Sequence, residues 1–209
     1  MANSNTELCN LALIELGQAR ISSLASDQNE SAKICRDKWP QVRDAVLRGA
    51  AWRCLIKRTA LAREASAPAF GYLYQYTLPV DCFRVLSFSS LNTASSTAIY
   101  EDSVLAALQA KNALWAVEGR VLLTNEEAAY IQYVGYDRGA DTVALFDPLL
   151  TTVLVCQLAA TIAPSLSSAD RVAELWALRH QAFSDAVRTG AVEASRAIAS
   201  CTSLTTSVR

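Results

Sequence analysis

Acid, base and nucleophile chemistry needs carboxylates, imidazoles or thiols brought together, and this chain spreads them thinly. Glu101, Asp102, Glu118, Glu126 and Glu127 fall in one central stretch. Two such carboxylates can hydrolyse a glycosidic bond, one as acid and the other as base or nucleophile, although turn and strand-end solvation explains them equally well. His180 is the single histidine, so a zinc site would have to recruit dispersed cysteines; a helix surface is its ordinary place. Cys9, Cys35, Cys54, Cys82, Cys156 and Cys201 show no CxxC spacing and read as small core residues in a reducing compartment. The seven glycines form neither GxGxxG nor GxxxxGK followed by Ser or Thr, which leaves nucleotide binding without support. We expect no catalytic residue, no metal and no cofactor.

The rest of the composition belongs to a folded, non-catalytic chain. Apolar residues make up 52% and charged residues 19% of 209, enough for a substantial core and for further burial in an assembly. A net charge of −1 gives no surplus with which to grip phosphates. Residues 31–64 nonetheless hold nine basic and three acidic side chains, read first as a solvated helical face and second as a partner surface containing Arg36 and Arg43. MANSNTEL lacks the regions of a signal peptide, so synthesis and function inside a cell are expected. Residues 148–169 carry no charge, but Thr151, Thr152, Gln157, Thr161 and Pro164 interrupt them, and a buried bundle helix of about fifteen residues fits better than a membrane span.

Local signals give an order of elements. Ser4-Asn5-Thr6-Glu7 is a capping box before an apolar run that Gly17 stops. Asp27-Gln28-Asn29-Glu30 is a second box, opening a helix in which Cys35, Trp39, Val42, Val46 and Ala50 recur at steps of three and four. Pro40 should kink or restart that helix, which Trp52 and residues 53–58 are expected to prolong. From 70 to 136 the period becomes that of strands. Residues 70–78 place Phe70, Tyr72, Tyr74, Tyr76 and Leu78 on one face, Pro79 stops the strand, and 81–88 is expected to return beside it. A hairpin is expected around Glu118-Gly119, a loop over 87–97 and a short helix over 102–111. Asp147-Pro148 starts a helix to about Ala163. Ser167 or Ser168 caps the last one, with Val172, Leu175, Trp176, Arg179, Phe183 and Val187 on its inner face and Gly190 as its end. The expected fold is α+β, a bundle of two N-terminal and two C-terminal helices (1–66 and 140–190) with an inserted antiparallel β module (67–139). Residues 191–209 are expected to form a mobile tail or arm.

Several pieces, taken in order, resemble one family. They are the Asn10-Leu11-Ala12-Leu13 helix, Val42 to Arg48 (VRDAVLR) followed by Trp52, and Phe70-Gly71-Tyr72 leading to Leu78-Pro79-Val80-Asp81-Cys82. Val117-Glu118-Gly119-Arg120 and Phe146-Asp147-Pro148 complete the set. The chain from Glu7 to Val187 resembles the tail tubular protein A family, the head-to-tail adaptors of short-tailed bacteriophages. The segments 89–98 and 104–113 are longer than that family's link before the Glu-Gly-Arg turn. The resemblance implies a structural virion protein at the head-to-tail junction, assembled in the host cytoplasm. It implies a ring, of twelve copies by family habit, between the portal protein and the tail nozzle protein. DNA would pass through its channel without sequence-specific binding, and no membrane is involved. Interface candidates are Arg36, Arg43, Tyr72, Tyr74 and Tyr76, with Arg196, Leu204 and Val208 on an arm that orders against a neighbour or the portal. The alternative is a phage-associated cell-wall hydrolase using the carboxylates of the β module.

Overall fold

The computed structural model of the chain describes residues 4–90, 114–139, 143–166 and 169–202. Helices flank a β module in an α+β fold, and the chain divides into two compact units, 1–54 with 139–209 and 55–138.

In the helical unit, α1 (Asn5–Glu15) begins where Ser4 Oγ accepts from the Glu7 N–H. It ends in a Schellman motif: Gln18 N–H donates to Leu13 O, Gly17 N–H donates to Ile14 O, and Gly17 takes φ +68°, a conformation natural to a residue without Cβ. α2 (Glu30–Gly49) is capped by Asn29, whose side chain accepts from Ala32 N–H. Asp27, the first residue of the expected box, instead receives the amides of Ser22 and Asn29, and these bonds hold its carboxyl below its ordinary value. α2 runs unbroken through Pro40. α3 (Pro148–Leu166) starts on Asp147, which accepts from Leu150 N–H at 2.7 Å, and it continues through Pro164. α4 is Ala169–Thr202.

α3 explains why the unit holds together. It packs on α1, α2 and α4, burying Leu150, Val153, Leu154, Val155, Leu158, Ala159, Ala160, Ile162 and Ala163, as a helix apolar on nearly every side must. By length and composition alone it could cross a membrane. Its main polar tie is useful: Arg179 Nε of α4 donates to Gln157 Oε1 at 2.6 Å, and the same guanidinium stacks on Phe183.

The β unit holds two three-stranded antiparallel sheets. One has the order β1 (Ile56–Ala60), β6 (Tyr130–Gly135), β3 (Cys82–Ser89); the other β2 (Tyr74–Thr77), β5 (Val121–Thr124), β4 (Trp115–Glu118). They face each other across Tyr76, Leu78, Cys82, Phe88, Leu122, Ala129, Ile131 and Tyr133. β1 and β6 are in register from Ile56 opposite Val134 to Ala60 opposite Tyr130. Glu118 pairs with Val121, so the hairpin turn is Gly119-Arg120, one residue later than expected. Of these two residues, only Gly119 has positive φ (+59°), as a type II′ turn requires.

Five further expectations need correction. Residues 53–58 do not prolong α2: a short 3-10 turn (Arg53–Leu55) leads directly into β1, because Ile56 to Ala60 find strand partners on β6. The strand over 70–78 shrinks to Tyr74–Thr77, since Gly71 at φ +84° breaks the extended path, and Phe70 is left 87% exposed. The strand after Pro79 does not return beside β2 but pairs with β6 in the other sheet. Gly190 does not end α4, which carries residues 191–202 of the expected mobile arm. On the expected inner face of α4, Leu175 is buried and Val172, Arg179 and Phe183 are half-buried, but Trp176 and Val187 are exposed and Ala186 is buried in their stead. The expected helix over 102–111 and most of the loop before it lie outside the described residues.

Candidate functional site

The basic run divides between the two units and so is not one helical face. Arg36 is half-buried and braces the loop before α2, its Nε donating to Leu24 O at 2.9 Å and its Nη2 to Asp27 O at 2.8 Å. Arg43 is only 6% exposed and bonds Asp44. Arg53 approaches Glu193 of α4 at 3.6 Å. Lys57, Arg58 and Arg63 belong to the β unit. Both basic interface candidates are thus engaged within the helical unit.

The tyrosines separate by depth. Tyr76 is 1% exposed, with its hydroxyl donating to Glu126 O, and burial raises its pKa. Tyr74 is half-buried beneath the Arg63 guanidinium, 4.1 Å from the ring centroid, and its hydroxyl meets Glu127. Tyr72 is half-buried. Arg196 lies on α4; Leu204 and Val208 lie outside the described residues.

One polar cluster of the β unit was not anticipated. Lys57 of β1 pairs with Asp81 at 2.6 Å, and the Tyr133 hydroxyl of β6 donates to the other Asp81 oxygen at 3.2 Å. The backbone joins in, with Tyr136 N–H donating to Asp81 O. Burial, helped by the neighbouring Asp81 charge, pushes the Tyr133 phenol up to about 12, which makes it a poor base and a good fixed donor. Gly135 allows this crowding: a Cβ there would stand 2.6 Å from the Tyr133 ring and 3.0 Å from both Asp81 and Lys57. The cluster clasps β1, the turn before β3 and β6 together. Its signal in the sequence was Asp81 after Pro79, but the partners come from positions too distant for any local pattern to reveal.

Glu118 ends β4 and Glu126 follows β5 by two residues. Glu101 and Asp102 lie outside the described residues. Among the described residues no three His, Cys, Asp or Glu side chains gather as metal ligands, and His180 is exposed on α4.

Among the described residues, two apolar surfaces bear on assembly. In the helical unit, Leu11 and Ile14 of α1 are exposed and line a hollow of about 470 Å³ with Glu7, Arg20 and the first turn of α3. In the β unit, Leu73 (61% exposed) and Leu114 (75%) open the two outer strands of one sheet. They share an end of it, since Tyr74 and Trp115 both oppose Thr124, and Phe70 lies three residues before Leu73. The α1 surface was legible in principle, because Leu11-Ala12-Leu13-Ile14 has more apolar residues than one helical face can bury.

No family model matches the chain, and no curated protein is significantly similar to it.

Proposed function

We propose that the chain is a structural virion protein, a head-to-tail adaptor whose copies form a ring between the portal and the tail nozzle and leave a central DNA channel. On this reading it is not an enzyme, needs no cofactor, and works at the head-to-tail junction after assembly in the host cytoplasm.

What supports the reading is that the residues carrying the family resemblance occupy the joints of the fold. Asp147 caps α3. Trp52, after the VRDAVLR stretch, donates from Nε1 to Val46 O at 2.8 Å and meets Phe183 edge-on. The Leu78-Pro79-Val80-Asp81-Cys82 and Val117-Glu118-Gly119-Arg120 pieces, far apart in sequence, hold each other: Leu78 N–H donates to Arg120 O, and Arg120 Nη2 donates to Pro79 O. The exposed apolar residues of both units add support, because an assembling subunit leaves such surface for its neighbours.

Electron microscopy of particles from a phage with this gene disrupted tests the proposal. Tailless heads that package DNA but fail to retain it are the expected result; complete, infectious particles overturn it. Deleting 191–209 should weaken attachment to the portal while the subunit stays folded.

A further inference from the structure

Apart from the two apolar surfaces, the β unit presents one apolar side chain on a tightly held support. Val80, in the turn before β3, is 84% exposed. A lone exposed valine means little by itself, but here the carbonyls of Leu78, Pro79 and Val80 are all bound. Arg120 Nη2 donates to Leu78 O and Pro79 O, Arg138 Nη1 donates to Val80 O at 3.1 Å, and Cys82 N–H donates to Pro79 O at 3.0 Å. Arg138 is itself fixed by lying 4.1 Å above the Phe83 ring, and Asp81 is held by Lys57 and Tyr133. The turn therefore has its shape before anything touches it, and a pre-shaped turn loses little entropy on contact.

The helical unit offers a hollow of matching character. Its apolar walls are Leu11, Ile14 and Pro148, and Glu7 and Arg20 stand among its lining. The tip has charges of its own. Arg120 spends its bonds there on neutral carbonyls, which cancel none of its charge, and the exposed Glu118 lies two residues away on the same hairpin. Each surface thus sets one carboxylate and one guanidinium beside an apolar centre, so that each charge can meet its opposite.

We propose that the Pro79-Val80 tip of one copy docks in the hollow beside α1 and the first turn of α3 of a second copy, as the contact that joins neighbouring subunits. The inference deepens the adaptor reading and rests on the ring it includes. Because two different surfaces meet, each copy has one tip and one hollow to offer, and repetition gives a ring if the rotation closes. Tip against tip, the symmetric alternative, would bring Arg120 against Arg120 and is disfavoured by like charge.

The test uses the full chain with the photoreactive benzoylphenylalanine in place of Val80, as a concentrated mixture of nitrogen-15-labelled and unlabelled copies. After irradiation, mass spectrometry should find position 80 of one isotope joined to α1 or to residues 148–152 of the other. Sedimentation adds a second readout. Val80→Glu, which faces Glu7, and Leu11→Lys, which faces Arg120, should each weaken self-association roughly thirtyfold, the scale of a buried anchor lost from an interface. The double variant should recover most of that loss, because the introduced charges are opposite, and melting by far-UV circular dichroism should show all three folded. Cross-links within one isotope only, cross-links to another region, a chain that stays monomeric at every concentration, or a double variant weaker than both singles would overturn the proposal. Particles from the gene disruption separate the two readings. Tailless heads with a cross-link elsewhere sink this contact alone; complete particles with the expected cross-link sink the adaptor and leave the contact standing.

Discussion

The helical unit and the β unit reach a fixed structure by different means. The first surrounds one apolar helix, and its polar bonds mostly cap helix ends or brace the loops beside them, as where Asn10 exchanges two bonds with Ile21 and Arg36 holds Leu24 O and Asp27 O. The second has a small core, and specific side-chain bonds hold its strands in place: Lys57, Asp81 and Tyr133 clasp three segments, while Glu64 receives Gln75 and Thr77 of β2. A unit with enough apolar area can tolerate loss of single polar bonds. A smaller one depends on them, since an unpaired buried group costs more than the bond contributed.

Substitutions can break or sharpen that contrast. The largest loss should come from Leu154→Ala at the centre of α3, where the side chain is fully buried; chemical denaturation should show about 3 kcal/mol of destabilisation. Gly135→Ala should cost about 2 kcal/mol by forcing Tyr133, Asp81 and Lys57 apart, and near-UV circular dichroism should report the disturbed tyrosines. If Gly135→Ala proves silent, the clasp does not matter as argued.

Asp81→Asn should cost about 1 kcal/mol and lower the Tyr133 pKa from about 12, leaving it above its ordinary value because burial, the larger cause, remains. Ultraviolet titration of the phenols would read this. The sign of the pH dependence follows: between pH 10 and about 12 the unfolded chain releases the Tyr133 proton while the folded chain keeps it. The stabilisation is therefore complete below pH 10 and is lost as pH rises through about 12. Ser4→Ala removes one cap from α1 and should cost about 1 kcal/mol or somewhat less, seen as a small shift in the helical transition by far-UV circular dichroism. Glu118→Gln, on an exposed strand end, should stay within about 0.5 kcal/mol of the parent in the same measurement.

The same contrast governs what could be read from the sequence. Ser4, Gly17, Asn29 and Asp147 act within a few residues of themselves, so the starts of three helices were legible and so was the end of the first. Residues 53–58 look like helix locally, yet from Ile56 onward they become strand because β6, more than seventy residues later, supplies their partners. The β2 and β3 strands could not be assigned to different sheets from their own pattern, since alternation says which side chains share a face and not which strand lies alongside. The candidate arginines failed as surface markers for a related reason: Arg36 and Arg43 bond to backbone and carboxylate groups that only the folded loop and helix present.

The pairing of Ile56 with Val134 has a consequence for how such a chain can change over time. The β unit leaves and rejoins the rest of the polypeptide through two adjacent strands, so once folded it holds its own ends about 5 Å apart. To the helices it is then equivalent to a short connection, and its length adds almost nothing to the entropy of closing them. Selection can lengthen, shorten or exchange what lies between those two strands while the helical scaffold keeps its sequence.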